Sequence, residues 1–258
     1  MKNPTPSTDY AMWKLLAWCG PIFMAIFFVL WGLLAKNFPP RGANLSPDEI
    51  YAHYIENGMA IRIGMSVCMV GGAFYMAWGC AVSKLMRRVE GPEGVLSNLE
   101  LMGATATFTP ILMACGIWLI ASMEAAALGP AWVHMMYSFG WMVVDLAYMV
   151  TSFQIFAVAM VFMRDKREKP LMPSWVSWEG FITVASFFPV SLIPFFKSGP
   201  FAFHGLFNFW IAFPTWYIWV SAVSFYTIKA IHKLEQEEAQ TQPIDDHHPQ
   251  STPAFVRG

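Results

Sequence analysis

One segment of the sequence, from Trp132 to Met163, is too long and too apolar to belong to an ordinary soluble domain. Its 32 residues contain no Lys or Arg and a single carboxylate, Asp145. About 20 apolar residues are enough for a helix to cross the hydrocarbon core of a bilayer, so this segment predicts a transmembrane helix with some excess length. The basic cluster from Arg164 to Lys169 follows at once and marks the end that we expect to face the cytoplasm.

The whole chain has the composition of a polytopic membrane protein. Of its 258 residues, 56% are hydrophobic and 13% are charged, whereas about a quarter of the residues of a soluble domain are charged. The apolar residues divide into six runs, which predict an all-α bundle of six transmembrane helices over residues 13–231. The predicted spans are about 13–35, 61–85, 97–123, 132–163, 175–196 and 203–228. They are flanked by two tails, 1–12 and 232–258, of which the second is predicted to be disordered.

The longest loop, between the first two spans, contains a helix start. Ser46 and Glu49 have the spacing of a capping box, and Pro47 stands at the first helical position. Gly58 is a candidate helix stop. We therefore predict a short amphipathic helix from Pro47 to Asn57 that lies over the outer mouth of the bundle.

The basic residues give the orientation. With six spans and both termini inside, 12 of the 16 Lys and Arg residues lie on the cytoplasmic side. Four remain outside: Lys36, Arg41, Arg62 and Lys197. The positive-inside rule therefore predicts cytoplasmic termini. The alternative topology makes the fifth span a re-entrant hairpin at Pro189 and Pro194, with the C-terminus outside.

Asp145 falls near the middle of the fourth span, where an acid is costly unless it is paired or neutral. Polar and aromatic residues at helical spacing predict a seam on the same face, namely Ser138, Trp141, Tyr148 and Ser152. With Thr109, this seam suits a proton or ligand pathway. The alternative interpretation is structural, a neutral Asp145 that hydrogen-bonds the third span at Thr105, Thr107 or Thr109.

Two further acids, Glu100 and Glu179, lie one turn into the third and fifth spans. We expect them to anchor these spans at the inner face, where they can reach the interface or the neighbouring basic residues.

A second candidate site lies at the outer face. His134 and His204 open the fourth and sixth spans at the same predicted depth, and Glu124 precedes the fourth span. Two facing imidazoles suit a metal or a haem iron, but interfacial hydrogen bonding explains them more simply. The sequence has no CxxCH haem motif, and its four cysteines, Cys19, Cys68, Cys80 and Cys115, lie in apolar runs without metal-ligand spacing. We therefore predict no metal and no other cofactor.

The sequence leaves two function classes open. It has no nucleophile elbow, phosphate-binding glycine loop or paired catalytic carboxylates, so we do not expect an enzyme, and no stretch is basic enough for nucleic acid.

The proline-broken spans, with Pro110 and Pro214 at similar positions in the third and sixth, favour a permease or carrier for a small or hydrophobic molecule. The alternative is a non-catalytic membrane subunit or scaffold. The aromatic clusters suit membrane lipid or a hydrophobic ligand, and the small residues of the second span suit a protein partner or a second copy of the chain: Gly64, Gly71 and Gly72.

Four motifs resemble a group of bacterial six-span inner-membrane proteins that have no assigned function. They are Cys19-Gly20-Pro21-Ile22-Phe23, Ser46-Pro47-Asp48-Glu49-Ile50 leading to Arg62-Ile63-Gly64, Arg87-Arg88-Val89-Glu90-Gly91, and Phe195-Phe196-Lys197-Ser198-Gly199-Pro200-Phe201. The resemblance covers about Trp13 to Ile231. It implies a multi-pass protein of the bacterial inner membrane with both termini in the cytoplasm.

Overall fold

The computed structural model describes residues 8–241, and within them every regular element is helical. The α-helices are α1 (Tyr10–Ile26), α2 (Pro47–Glu90), α3 (Val95–Met123), α4 (Ala125–Leu146), α5 (Tyr148–Met163), α6 (Ser174–Phe187) and α7 (Phe213–Thr241). A π-helix, Phe27–Leu34, continues α1, and a second one, Leu206–Ala212, leads into α7. A 3₁₀-helix, Phe188–Phe195, continues α6.

These elements form six stretches that are long and apolar enough to cross a membrane, which confirms the predicted all-α, six-span bundle. The crossings are α1 with its π-helix, α2, α3, α4 with α5, α6 with its 3₁₀-helix, and the second π-helix with α7. The fifth crossing is one stretch of 22 residues. It continues through Pro189 and Pro194 as a 3₁₀-helix instead of turning back as a re-entrant hairpin.

The start of α2 differs from the prediction in one respect. The capping box is present, because the Ser46 side chain accepts from the Glu49 amide and the Glu49 carboxylate accepts from the Ser46 amide. However, the predicted stop at Gly58 is wrong, since the helix runs without a break to Glu90. The Gly58 carbonyl accepts a hydrogen bond of 2.9 Å from the Ser122 hydroxyl on α3. Tertiary packing thus outweighs the tendency of glycine to end a helix, and the predicted loop helix forms the first turns of α2.

Replacing Ser46 with Ala is expected to destabilise the start of α2 by about 1 kcal/mol, because the helix loses its N-cap acceptor. Hydrogen–deuterium exchange should be faster in the first turn of α2 and unchanged elsewhere. Ser191→Ala is the control, since the Ser191 hydroxyl is exposed and bonds only the Phe188 carbonyl three residues earlier. Equal exchange in the first turn of α2 for both variants would contradict the capping role.

The predicted C-terminal tail is wrong for its first ten residues, 232–241, which continue α7. Ion pairs hold this extension against the rest of the bundle, with Lys14 Nζ 2.6 Å from Glu235 Oε2 and an Arg88 nitrogen 3.1 Å from Glu238 Oε1. These contacts place the start of α1 and the end of α7 at the same end of the bundle, which we call the terminal end. The helix α1 likewise begins at Tyr10, inside the predicted N-terminal tail 1–12. Residues 1–7 and 242–258 of the two predicted tails lie outside the described residues.

Buried aromatic rings fill the interior between the first, fourth and sixth crossings. Trp31 stacks between Phe27 and Phe213, with ring centroids 4.5 and 5.8 Å away, and its edge contacts Trp141 at 5.6 Å. Such ring contacts add roughly 0.5–1.5 kcal/mol each beyond the area that they bury. Part of the aromatic content therefore forms a packed core next to the site described below.

Candidate functional site

A cavity of about 70 Å³ lies between the first, third, fourth, fifth and sixth crossings. Most of its lining is apolar or aromatic, but five polar side chains face it: Thr107, Asp145, Tyr148, Thr151 and Asn208. One water molecule needs roughly 10–15 Å³ of such volume, so the cavity has room for several waters or for a small organic group.

Four crossings leave regular α-helical geometry beside this cavity. The first becomes a π-helix at Phe27, the fourth is interrupted at Ala147, and the fifth tightens into a 3₁₀-helix after Phe187. The sixth begins as the π-helix that carries Asn208. The residues at these four points all line the cavity, as does Pro110 of α3: Phe27, Ala147, Phe187 and Asn208. Because π-segments and discontinuous membrane helices are frequent at functional sites, their convergence marks this cavity as the candidate site.

Asp145 is the only ionisable carboxyl among the residues that line the cavity, and it is 5% exposed. Its Oδ2 accepts a hydrogen bond of 2.9 Å from Asn208 Nδ2, which also donates to the Phe203 carbonyl at 2.7 Å. Its other oxygen, Oδ1, has no hydrogen-bond partner among the described residues. Buried polar atoms are nearly always satisfied, so this oxygen is available to a donor from a bound molecule.

Hydrogen-bonded side chains lead from the cavity to a second buried carboxyl. The hydroxyls of Thr107 and Thr151 are 2.9 Å apart, and the Thr107 hydroxyl is 3.4 Å from Oε1 of Gln154. The Gln154 Nε2 in turn donates to Oε1 of Glu100 at 3.3 Å. We call Thr107, Thr151, Gln154 and Glu100 the polar seam.

Glu100 is fully buried, and its Oε2 has no hydrogen-bond partner among the described residues. The expectation that it would anchor α3 at the inner face is therefore wrong. Gln154 also accepts a hydrogen bond of 2.9 Å from the Tyr75 hydroxyl of α2, so α2, α3 and α5 meet at this point. Gly103 permits the contact, because a Cβ there would lie 2.6 Å from the Cβ of Gln154. Glu179 is half-buried on α6, as an anchoring role would require.

The structure assembles only part of the predicted site. Tyr148 lines the cavity with Asp145, but the other predicted residues do not. Trp141 is buried in the aromatic core, stacked on Phe203 with ring centroids 5.2 Å apart, and Ser138 is half-buried on α4.

The prediction from helical spacing is wrong after Asp145 because the helix is interrupted at Ala147. The Ser152 hydroxyl donates to the Tyr148 carbonyl of its own helix, and Thr151 lines the cavity in its place. On α3, the hydroxyls of Thr105 and Thr109 likewise bond carbonyls of their own helix, at Leu101 and Thr105, and both residues are exposed.

The hydrogen-bond partner of Asp145 is also different from the predicted one. Asn208 of the sixth crossing makes this bond, and Thr107 shares the cavity without bonding Asp145 in the structure. Asn208 is a lone amide within the aromatic run from Phe201 to Trp210. A polar residue in such a run is costly in a membrane unless it has a partner, and this signal could have identified it.

A larger crevice of about 270 Å³ lies beside the cavity, between the first and sixth crossings. Its lining is almost entirely aromatic and aliphatic: Phe27, Phe28, Trp31, Gly32, Phe38, Phe209, Phe213, Pro214, Tyr217 and Ile218. Phe28 and Ile218 are exposed on the outside of the bundle. Phe27 and Phe213 line both spaces, so these two rings separate the crevice from the cavity.

The predicted outer-face residues have separate environments. His204 joins the loop before α2 to the loop before the second π-helix, because its Nδ1 accepts a hydrogen bond of 3.0 Å from the Ala43 amide. His134 is half-buried on α4, and Glu124 is exposed with its carbonyl bonded to the Ala127 amide. All four cysteines are free, and only Cys80 is exposed. In residues 8–241, no group of three or more His, Cys, Asp or Glu side chains is arranged to hold a metal ion.

The His204 contact should make these two loops sensitive to acid. Burial lowers the pKa of His204 from its ordinary value of 6.5, and only the neutral ring accepts from Ala43. The stabilisation is therefore complete above about pH 6.5 and is lost as the pH falls through the lower pKa of the folded state. Thermal unfolding midpoints measured from about pH 7.5 down to pH 5 should fall more for the wild type than for His204→Asn. A His204→Asn profile parallel to that of the wild type would exclude this contribution.

No protein-family model, curated protein or solved structure matches this chain.

Proposed function

We propose that the chain is a small permease or carrier whose substrate binds in the cavity at Asp145. The observation that carries this proposal is the unpartnered Oδ1 of Asp145 in a cavity bordered by four interrupted crossings. Secondary transporters bind substrates near the bilayer midplane between discontinuous helices, because the freed backbone and polar groups supply ligands there. The same arrangement lets short segments beside the site move while the long helices remain packed.

The chemistry of the lining favours a small amine or another hydrogen-bond donor with an apolar body. No Lys, Arg or His lines the cavity, so an anion would find no positive charge there. The free Asp145 oxygen can accept from an ammonium group, and the rings of Phe27, Phe213 and Trp216 line the same space. Aromatic faces attract cations by roughly 0.5–2 kcal/mol, more where water is excluded.

The aromatic crevice supplies a route from the bilayer. Its outer residues are exposed on the side of the bundle, and Phe27 and Phe213 close its inner end. Rotation of these two rings would connect the crevice to the cavity. A hydrophobic substrate can then enter sideways from the lipid and bring its polar group to Asp145.

The alternative function, a membrane subunit or scaffold, has less support from the second span. The glycines that suit a protein interface pack inside the bundle: a Cβ on Gly64 would lie 2.5 Å from the Leu30 carbonyl, and one on Gly71 would lie 2.8 Å from Ile26. The space beside Gly72 is similarly occupied by the ring of Phe108, because a Cβ on Gly72 would lie 2.5 Å from that ring. These residues therefore serve packing within the chain.

The proposed location is the inner membrane of a bacterium with the terminal end in the cytoplasm. Arg88 and Arg167 lie at this end, where the Arg167 guanidinium donates to the Arg88 carbonyl and Arg88 pairs with Glu238 of α7. Basic residues accumulate on cytoplasmic surfaces. Labelling of single cysteines at the exposed positions Lys166 and Asn44 in intact cells tests this orientation, because external labelling at Lys166 would reverse it.

Uptake of labelled ethylammonium into proteoliposomes tests the carrier function. The wild type should exceed empty liposomes, and Asp145→Asn should lose uptake by roughly 10- to 100-fold, as expected when a hydrogen bond to a charged group is removed. The amide keeps the size of the side chain and can still accept from Asn208, but it presents a donor to the cavity. Thr109→Val changes an exposed hydroxyl of α3 and should keep full uptake. Wild-type uptake equal to that of empty liposomes, or unchanged uptake in Asp145→Asn, would refute the proposal.

A further inference from the structure

The aromatic crevice between the first and sixth crossings has room for a hydrocarbon chain. Its lining on the sixth crossing runs from Phe209 to Ile218, which corresponds to roughly 13 Å at the rise of an α-helix. The crevice therefore extends along the crossings, the direction in which acyl chains lie in a bilayer. Its volume is about 270 Å³. A dry apolar cavity of roughly 150 Å³ already accommodates a benzene ring, so a segment of several methylenes fits here.

Contacts between the two crossings close the crevice at both ends. At one end, the Tyr217 hydroxyl donates a hydrogen bond of 2.6 Å to the Met24 carbonyl. At the other end, the ring of Phe38 contacts Phe28 of the first crossing and Phe209 of the sixth, with ring centroids 5.8 and 5.7 Å away. The first and sixth crossings are thus joined above and below a space that they leave open between them.

The opening and the lining of the crevice suit an apolar occupant. Phe28 and Ile218 are 41% and 53% exposed along the opening, so the crevice is continuous with the surface of the crossings that the bilayer covers. The lining contains no charged side chain, and its one hydroxyl, that of Tyr217, is already bonded to Met24. Apolar spaces of this kind exclude water. The phase that can fill this one from its open side is the hydrocarbon of the membrane.

Gly32 gives the crevice part of its room, and no close helix contact requires a glycine there. The residue is buried, but a Cβ on it would lie 3.5 Å from the Phe38 Cβ and 3.8 Å from the Phe27 carbonyl oxygen, which are ordinary contact distances. By contrast, a Cβ on Gly71 would lie 2.8 Å from Ile26. Glycine is less favourable than alanine inside a helix. The room that its missing side chain leaves in the crevice accounts for glycine at this position.

An exposed lysine lies close in sequence to the end of the crevice that Phe38 closes. Lys36 follows the first π-helix in a left-handed backbone conformation, and the chain then turns back so that the Phe38 amide donates to the Gly32 carbonyl at 2.9 Å. Lys36 forms no ion pair among residues 8–241. Lysine side chains at the ends of membrane helices reach the headgroup region and attract anionic lipids.

We propose that the crevice binds one acyl chain of an anionic membrane phospholipid, with Gly32 making room for the chain and Lys36 pairing with the headgroup. This lipid site is separate from the cavity and does not depend on the carrier function. The two spaces are adjacent, because Phe27 and Phe213 line both. A bound chain packs against the same two rings that line the cavity, and a substrate that enters from the bilayer first displaces it.

Photolabelling of the full chain in phosphatidylglycerol vesicles tests this site. A small fraction of the lipid carries a diazirine in the middle of one acyl chain, which inserts into neighbouring side chains on irradiation, and mass spectrometry of the digested protein locates the labels. In the wild type, the residues of the crevice should be labelled more strongly than exposed apolar residues on other crossings. Phe38 and Phe153 of α5 give the comparison, since Phe153 has the greater exposure, 60% against 41%.

Leucine at Gly32 tests whether the space itself is responsible. Gly32→Leu should reduce labelling of the crevice roughly tenfold, because seating a chain over the added atoms is comparable to overpacking a core. Gly116→Leu is the matched control, since it makes the same change on α3, where no atom lies within 4 Å of a Cβ, and it should keep wild-type labelling. Gly32→Ala should fold like the wild type, because its Cβ makes ordinary contacts, and it should give an intermediate level of labelling.

Lys36→Gln tests the headgroup contact. It should weaken labelling of the crevice about fivefold in phosphatidylglycerol, the effect of one lysine at an anionic membrane surface. In phosphatidylcholine, whose headgroup has no net charge, it should have little effect. An equal effect in both lipids would overturn the role of Lys36.

Equal labelling of the crevice in Gly32→Leu and Gly116→Leu would overturn the inference, as would wild-type labelling no stronger at Phe38 than at Phe153. A second copy of the chain seated in the crevice would leave it unlabelled, with the same consequence. If Gly32→Leu does not fold, Gly32→Ala decides, since labelling equal to that of Gly116→Ala would also overturn the inference. No measurement here uses ethylammonium, so failure of the lipid site and failure of the carrier function are distinguishable.

Discussion

Asn208→Leu is expected to lower the free energy of unfolding by about 3 kcal/mol, the upper part of the range for leaving a buried polar group without its partner. The substitution removes the amide that donates both to Asp145 Oδ2 and to the Phe203 carbonyl. Asp145 would then have no hydrogen-bond partner on either oxygen. Equilibrium unfolding in mixed micelles measures the change.

The double variant Asp145→Leu with Asn208→Leu shows whether the orphaned carboxyl causes this loss. It should be more stable than Asn208→Leu alone, because two apolar side chains can replace a polar pair at little cost once neither partner is left unsatisfied. Ser186→Ala gives the reference for an ordinary contact, since its hydroxyl lies 3.0 Å from that of Thr215 on α7. Such interhelical hydrogen bonds average about 0.6 kcal/mol in membrane proteins. If Asn208→Leu costs no more than Ser186→Ala, the Asp145–Asn208 pair has no special energetic role.

The six crossings could be predicted because length and hydropathy determine them. A run such as Trp132 to Met163 has few alternatives to a membrane span, and the capping box at Ser46 was readable from its local pattern. The continuation of α2 beyond Gly58 could not be predicted in the same way. The partner of the Gly58 carbonyl, Ser122, is 64 residues away along the chain.

The site was only partly predictable because its geometry depends on helix interruptions that no local sequence pattern marks. The helix breaks at Ala147, where neither Gly nor Pro marks it, with the backbone at φ −78° and ψ 5°. Regular spacing from Asp145 therefore selected Ser152, whereas Thr151 lines the cavity. Asn208 lies on another crossing, 63 residues away, and no local pattern connects it with Asp145.

Glu100 is another residue whose environment could not be predicted from the sequence. An acid one turn into a span near basic residues suits an interfacial anchor, and sequence position alone favours that role. The structure buries it instead, because Gly103 lets α3 approach α5 until Gln154 reaches the carboxyl. A glycine that enables a close approach is one of several on these spans, so its particular partner could not be chosen from the sequence.

Gly103→Ala is accordingly expected to destabilise the protein by about 2–3 kcal/mol, the upper part of the range for forcing an extra group into a packed interior. The new Cβ would lie 2.6 Å from the Cβ of Gln154, 3.0 Å from its Cα and 3.2 Å from its backbone nitrogen. Backbone atoms cannot rotate away as the end of a side chain can, so α3 and α5 must separate. That separation lengthens the contact between Gln154 and Glu100.

Gly116→Ala is the control on the same helix, because no atom lies within 4 Å of a Cβ built there. Its expected effect has the opposite sign. Alanine in a helix is favoured over glycine by roughly 0.8–1.0 kcal/mol, so this variant should be slightly more stable than the wild type. Equilibrium unfolding of both variants separates the packing of Gly103 from the general effect of helix propensity. If Gly103→Ala is as stable as Gly116→Ala, α3 and α5 are not held together at Gln154, and the close contact between Gln154 and Glu100 does not contribute to stability.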